Sequence, residues 1–527
     1  EYLYDIDPLR WAAPIIETAN KMVEEAFAIK NIVPNASSAI FRNPGAMELL
    51  EDPGWKNMRT CGDWVFYLHL IRGGVLAYSP AACNYYRIHD ENTSVKSHDD
   101  DVFYVEHEIV AKTVQKYYRV GTDVFMRQRE QLIAHWMETR SFFSEDAFEA
   151  CYSLSRIKSA ATCRSPNLLM AGYGFCSGGG ETFPVELANL MKAAGYNVTY
   201  FDCAQEPRNQ GVRGKLRRDI PIVSDIPHLE KIVSDFGIDL IHSHHAWVDS
   251  TILDILPEEG DFKTIVTLHG MYETINSIDL KFILPRLVKR SSRLIYVADK
   301  NVSALTAYKG NDEKKLVLIE NALSVSEFDP VSRSDLGISE GAFVLVLISR
   351  AMEEKGWQEA VEIVSAAREK SEKDIQLVLV GDGPEYDRLG ALQLPAFIHL
   401  EGFQDNVRGY FSCSDMGFLP SRFRGESFPM VIIECLQAGR PILASSLGDI
   451  PYMLSGTDGP AGVLVELDGF EINISLWAEK IAHLASDKIA CESLQSRVFS
   501  AAQKFDSGVM TRKYDEVYRS VLDESVL

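Results

Sequence analysis

Four charged residues in the C-terminal half have the types and spacing to handle a phosphorylated ligand. Arg350 and Lys355 follow the apolar run Phe343–Ile348. A strand there would place them at its C-terminal end, where open α/β sheets bind ligands. A guanidinium fork beside an ammonium point charge suits a leaving diphosphate. Glu426 and Glu434 bracket an apolar stretch. Ser427 is a good N-cap, Pro429 fits the first turn and Gly439 fits the stop, so a helix is predicted from about Pro429 to Ala438. Its N-terminus would offer unpaired N–H groups and partial positive charge to a diphosphate. Glu434 would stand about 7–8 Å further along the axis, a fitting reach to the ribose hydroxyls of the same nucleotide. Glu426, ahead of the helix, would face whatever the outer phosphate carries. Gly381 and Gly402 sit in turns after two further apolar runs, where glycine lets main chain approach a ligand closely. Taken singly, each of these features is ordinary: most Arg and Lys are solvated, and glutamates eight apart are common.

The elements that must position these groups follow a simple alternation. From about residue 166, short apolar runs alternate with amphipathic helical stretches, in two series joined by a polar, turn-rich segment at 331–341. That pattern implies parallel sheets with helices on both faces. The expected units are 1–105, a helical linker 106–165, Rossmann-like domains 166–335 and 336–505, and a last helix over 506–527. A long helix is predicted over 8–29. The 527 residues are too many for one core. Net charge is −22, which supplies no field to attract a phosphate backbone and argues against nucleic acid as the main partner. The nine cysteines include no CxxC pair, as expected of reduced thiols in a cytoplasmic protein. No apolar run of about 18 residues exists, so no spanning helix is expected. The chain opens on Glu1, with no leader, like the interior of a longer polypeptide.

Arg350…Lys355-Gly356, Gly381-Asp382-Gly383-Pro384, Glu401-Gly402-Phe403 and Glu426-x7-Glu434, in that order, resemble the donor-binding half of retaining glycosyltransferases of family four, which have the GT-B fold. The resemblance runs from about 166 to 520. It implies an α/β fold of two facing Rossmann-like domains. It also implies sugar transfer from a nucleotide diphosphate sugar to a saccharide, glycolipid or protein acceptor, with retention and with no metal or other cofactor. By that likeness Arg350 and Lys355 hold the diphosphate, Glu426 contacts the donor sugar, Glu434 holds the ribose, and the backbone around Phe428, Met430 and Val431 meets sugar and phosphate. Pro429 stands where the family usually has Gly, and so withdraws one N–H donor. Gly178, Gly179 and Gly180 follow Ser177 and can crowd N–H groups onto an anion; in the family this loop closes on the diphosphate from the opposite domain. His269 resembles the family's active-site histidine, which would polarise or orient a hydroxyl. A strand-end histidine bonded to a nearby carbonyl is the alternative. His242, His244 and His245 could be read as metal ligands. Neighbouring strand residues face opposite ways, however, and a lining role or none fits better. The last helix, with Val509, Tyr514, Val517 and Tyr518 at helical spacing, resembles the family's helix that crosses back to the first domain.

The N-terminal third carries a second likeness. Pro34-Asn35, Ser37-Ser38, Phe41-Arg42, Gly62-Asp63-Trp64 and Tyr86-Arg87-Ile88-His89 resemble the acceptor-side half of an inverting family-two glycosyltransferase of GT-A fold. Asp63 would match a general base and His89 a metal and diphosphate contact. The nucleotide-binding strands and the metal-binding Asp-x-Asp are missing, and Asp5 and Asp7 lie too close to the later motif to replace it. This partial module is therefore expected to be inactive. Two other readings of the whole chain stay open. One is a non-catalytic nucleotide-sugar binder or scaffold, which the intact Arg350, Lys355, Glu426 and Glu434 set argues against. The other is an NAD-dependent epimerase or oxidoreductase built on Gly172, Gly174 and Asp202, whose third glycine falls instead at Ser177. Peripheral contact with a membrane is compatible with the sequence, and oligomeric state is not legible in it.

Overall fold

The computed structural model describes residues 3, 6–7, 9–33, 35–45, 47–81, 100–140, 142–161, 164–176, 178–204, 211–260, 262–308 and 313–523. Asp5, Pro34, Tyr86, Arg87, His89 and Ser177 lie outside them.

Two parallel sheets dominate. The first joins β3 (Asn167–Gly172), β4 (Asn197–Asp202), β5 (Ile222–Val223), β6 (Leu240–Ser243), β7 (Lys263–Leu268), β8 (Arg293–Tyr296) and β9 (Leu316–Leu318) in the order β5-β4-β3-β6-β7-β8-β9. The second joins β10 (Phe343–Ile348), β11 (Ile375–Val380), β12 (Ile398–Gly402), β13 (Met416–Leu419), β14 (Ile442–Ser445) and β15 (Gly462–Val465) in the order β12-β11-β10-β13-β14-β15. Every residue of β3 and of β10 is buried, as parallel strands covered by helices on both faces require. In each sheet the order reverses beside its first strand, at β3/β6 and at β10/β13, which opens a crevice at the strand C-termini. The architecture is α/β with two facing Rossmann-like domains. The helix Ser507–Asp523 packs Tyr514 and Tyr518 into a core shared by both domains, and Asp515 accepts from Tyr196 Oη at 2.7 Å.

The N-terminal part has a two-stranded antiparallel sheet, β1 (Ile15–Thr18) with β2 (Val75–Tyr78). Over 8–29 the expected single helix is broken. A 3₁₀ turn, Arg10–Ala12, leads to β1, and only then does helix run through Ala19–Met22 and Val23–Phe27. Pro14 removes a donor and disfavours helix at the preceding residue. The β-branched pair Ile15-Ile16 then joins β2. Helices Asp101–Tyr117, Thr122–Thr139, Glu145–Cys151 and Leu154–Ala160 complete a separate core around Trp64, Tyr104, Trp136, Phe148 and Tyr152. Glu108 anchors it, taking Arg156 Nη2 at 2.6 Å and Ser153 N at 2.7 Å.

This module is tied to the first sheet. The Arg72 guanidinium lies 4.0 Å from the centre of the Tyr117 ring. It donates to Asn197 Oδ1 at 2.7 Å and to Gly195 O at 2.9 Å. Arg164 grips Asp239 with two bonds, at 2.9 and 2.6 Å. No helix among the described residues is long and apolar enough to cross a membrane.

Candidate active site between the two domains

A cleft of about 950 Å³, counting its open mouth, lies where the C-terminal ends of the two sheets face each other. From the first domain Gly178, Gly179, Thr182 and Lys215 line it; from the second come Arg350, Lys355, Gly381, Phe403, Glu426, Met430, Val431 and Glu434. Gly178 precedes the helix Gly179–Ala193. A Cβ at Gly178 would collide with the Glu181 carboxylate and lie 3.5 Å from the Arg350 side chain, and one at Gly179 would lie 3.5 Å from Met430 Cγ. The glycine loop thus reaches across the cleft to within contact of Arg350 and Met430. Gly381 holds φ 143°, and a Cβ there would strike the Ser349 carbonyl, so glycine lets β11 end against β10.

The helix at the floor of the cleft runs Met430–Gln437 and is capped by Pro429, not by Ser427 as the sequence suggests. Ser427 Oγ donates to Gly425 O at 3.2 Å and accepts from Asn301 Nδ2 at 2.8 Å, a link between the domains that removes it from capping. Proline has no capping side chain. Among the described residues the Met430 and Val431 N–H groups meet no backbone acceptor, and both residues line the cleft.

Lys355 and Glu426 form a buried ion pair, with Nζ 2.6 Å from Oε2. Ser421 Oγ donates to the same oxygen at 2.7 Å, so Oε1 has no hydrogen bond among the described residues. Burial pushes the Glu426 carboxyl up, but the charge and hydrogen bond of Lys355 outweigh it and hold the group below its ordinary range. Lys300, from the first domain, donates to the main-chain oxygens of Glu426 and, at 2.8 Å, of Arg424. Arg350 is exposed, and its guanidinium has neither ion pair nor hydrogen bond among the described residues. Burial raises the Glu434 carboxyl, with Lys215 and Arg408 opposing. Among the described residues nothing hydrogen-bonds to it.

The structure brings Gly178, Gly179, Arg350, Lys355, Gly381, Phe403, Glu426, Met430, Val431 and Glu434 together, and leaves four expected residues outside the cleft lining. Gly180 is exposed with nothing within 4 Å of a Cβ position. Gly402 backs the site, its carbonyl accepting from Gly381 N at 2.7 Å. Phe428 is buried in the core, edge-on to Phe505 at 5.8 Å. The partner of His269 is no carbonyl but another imidazole: its Nε2 lies 3.1 Å from His244 Nδ1. Burial lowers His269 to about 3. The residue after it, Gly270, has φ 93°, and a Cβ there would strike Gly425 O and Ser427 Oγ of the second domain.

Lys215 is the main contributor that the sequence reading missed. It ends the short turn Arg213–Lys215, and the only signal was a run of basic residues over 213–218. No group of His, Cys, Asp or Glu among the described residues is placed to hold a metal ion. His242 is bonded to Tyr518 Oη at 2.5 Å and Thr267 Oγ1 at 2.7 Å. His245 caps the helix Ala246–Ile255 through its ring, accepting from Trp247 N at 3.2 Å. Asp202, the acid of the dinucleotide reading, accepts from Ala204 N at 2.9 Å. In the N-terminal module Asp63 accepts from Trp64 N at 2.7 Å and Asn31 Nδ2 at 3.4 Å.

Comparison with known proteins agrees with this geometry. Residues 177–327 match the family described as Glycosyltransferase Family 4, and residues 342–487 the one described as Glycosyl transferases group 1. An N-acetyl-alpha-D-glucosaminyl L-malate synthase of Bacillus anthracis is 27% identical over 301 residues, 54% of this chain and 76% of its own length. A D-inositol 3-phosphate glycosyltransferase of Arthrobacter sp. (strain FB24) is 24% identical over 295 residues, 50% of this chain and 66% of its own. Among solved structures, HepE of Anabaena in complex with UDP-glucose has a TM-score of 0.56 at 18% identity, covering 67% of this chain and 99% of that one. Sucrose-phosphate synthase of Thermosynechococcus elongatus gives 0.55 at 18%, covering 68% and 100%. With family matches spanning both sheets and more than half of its residues, this chain belongs to the group 1 and family 4 glycosyltransferases of GT-B fold.

Proposed function

We propose that the cleft binds a nucleoside diphosphate sugar and transfers its glycosyl group to a hydroxyl-bearing acceptor, with retained configuration and without a metal ion. The observation that carries this is Arg350, an exposed cation with no ion pair or hydrogen bond among the described residues, set between a glycine loop and an open helix N-terminus, its charge opposing the burial that raises the nearby Glu181 carboxyl. Those groups suit a diphosphate, and the charge that grows on it as the glycosidic bond breaks is met by Arg350, Lys355 and the Met430 and Val431 N–H groups. Such a set can do the work a metal ion does elsewhere. Glu426 is ionised, with Oε1 left to accept from a sugar hydroxyl. Burial raises Glu434, which among the described residues lacks the hydrogen-bond donors that a ribose diol would supply. Retention is carried over from the family-four likeness. HepE was solved with UDP-glucose, and a uridine donor is the first to try for this chain. The acceptor class is a saccharide, glycolipid, protein or small polyol; two relatives are named for L-malate and D-inositol 3-phosphate. The N-terminal module is proposed as an inactive acceptor-side half of a GT-A-like unit.

The test is a panel of UDP-, GDP-, ADP- and dTDP-sugars in excess EDTA, followed by thermal shift and nucleoside diphosphate release. One donor is expected to stabilise the chain and be turned over, and the shift to vanish in Arg350→Ala. A shift without turnover against any acceptor would favour a non-catalytic binder. A shift with NAD alone would end the reading, and activity lost in EDTA would end its metal independence.

A further inference from the structure

We propose that His244 is a positioning residue that fixes the His269 imidazole as its Nε2–H tautomer, so that His269 presents an unprotonated Nδ1 to a hydroxyl in the space between the domains. The hydroxyl-bearing ligand rests on the glycosyltransferase reading; the tautomer does not.

The protons shared by Met170, His244 and His269 can be counted one by one. His244 follows β6, is 2% exposed, and has both ring nitrogens engaged. Its Nε2 lies 3.0 Å from Met170 Sδ on β3, and its Nδ1 lies 3.1 Å from His269 Nε2. A thioether sulfur can only accept. The His244 proton therefore sits on Nε2, and its Nδ1 is bare. A bare nitrogen can only accept, so the bridging proton belongs to His269 Nε2. His269 is neutral, and its Nδ1 is then left with a lone pair. The opposite assignment would point the His244 lone pair at sulfur lone pairs 3.0 Å away in a buried site. Neither ring is charged, because burial holds both below the ordinary histidine range and the rings around them are Phe183 and the neutral His242.

The environment holds this arrangement in place. Phe183 packs edge-on against both rings, 5.8 Å from His244 and 5.1 Å from His269. His269 is half-buried, and its Nδ1 has no hydrogen-bond partner among the described residues. The adjoining Gly270 touches Gly425 and Ser427, next to Glu426, so the end of β7 that carries His269 lies against the second domain. His269 would thus accept a hydrogen bond from a hydroxyl through Nδ1 and would not donate one there.

The full chain labelled with ¹⁵N-histidine would be examined by long-range ¹H–¹⁵N spectra at neutral pH without any donor. The His269 signals are identified by their loss in His269→Asn. An unprotonated Nδ1 and a protonated Nε2 are expected; an Nδ1–H or a doubly protonated ring overturns the proposal. Met170→Leu, close in volume, removes the sulfur and should give mixed tautomers at both histidines; an unchanged spectrum would count against the role given to sulfur. With a donor in hand, His244→Asn, whose amide oxygen can stand in for Nδ1, should keep kcat within about threefold, and His244→Leu should lose about tenfold or more with donor KM little changed. Equal loss in both variants overturns the positioning role. If no sugar is ever transferred, the glycosyltransferase reading fails while the spectrum still decides the tautomer.

Discussion

At the scale of single residues, the cleft contains two kinds of cation. Lys355 is 14% exposed and committed to Glu426, whereas Arg350 is exposed and has no ion pair or hydrogen bond among the described residues, with the charge of Glu181 nearby. Removing one member of a buried pair strands the other and costs about 3–5 kcal/mol. Lys355→Ala should therefore lose both turnover and melting temperature. Arg350→Ala should abolish donor binding while staying within about 0.5 kcal/mol of the parent in stability. Calorimetry of both variants checks this, and a stable Lys355→Ala would mean that the pair is loosely held. Residue type and order in the sequence were enough to point to Arg350, Lys355, Glu426 and Glu434. Their pairing was not legible there, because Lys355 and Glu426 lie 71 positions apart and meet only through the parallel neighbours β10 and β13. Lys215 escaped for the same reason: only the folded first domain carries that turn to Glu434.

At the scale of elements, the histidines at the ends of β6 and β7 make stability depend on pH. His242 and His244 are held well below 6.5, and His269 is lowered to about 3. The unfolded chain, with histidines near 6.5, takes up protons that the folded chain refuses, so stability is lost as pH falls below about 6.5. Asp249, raised to about 7 by burial, works the other way between about 4 and 7 and offsets part of this. The melting temperature should fall between pH 7 and 5.5, and fall less in His242→Gln; a rise on acidification would contradict the assignment. Most strands of the two sheets were plain in the sequence, since a parallel strand buried on both faces reads as an apolar run, but the edge strands β5 and β15 were not singled out. Two helical readings went astray because local signals lost to tertiary ones. Ile15 and Ile16 found β2, and the Ser427 hydroxyl found Asn301.

At the scale of the whole molecule, the N-terminal module is fastened to the first Rossmann domain by Arg72 and Arg164, whose partners are carbonyls, an amide and a carboxylate of that domain. We expect the two to unfold in a single calorimetric transition, and Arg72→Ala, which leaves buried acceptors unpaired, to lower it. A separate early transition would show that the module is only loosely attached. None of this docking was visible in the sequence, where 1–105 carried motifs but no sign of what they lean on. The two Rossmann domains are joined by side chains such as Lys300 and Asn301, and they also meet at one point main chain to main chain, where the Gly270 Cα faces Gly425 O and a Cβ at Gly425 would sit 3.1 Å from Gly270 O. At that point the gap between the domains is set by backbone thickness. A single added methyl at 270 would act as a doorstop between the halves.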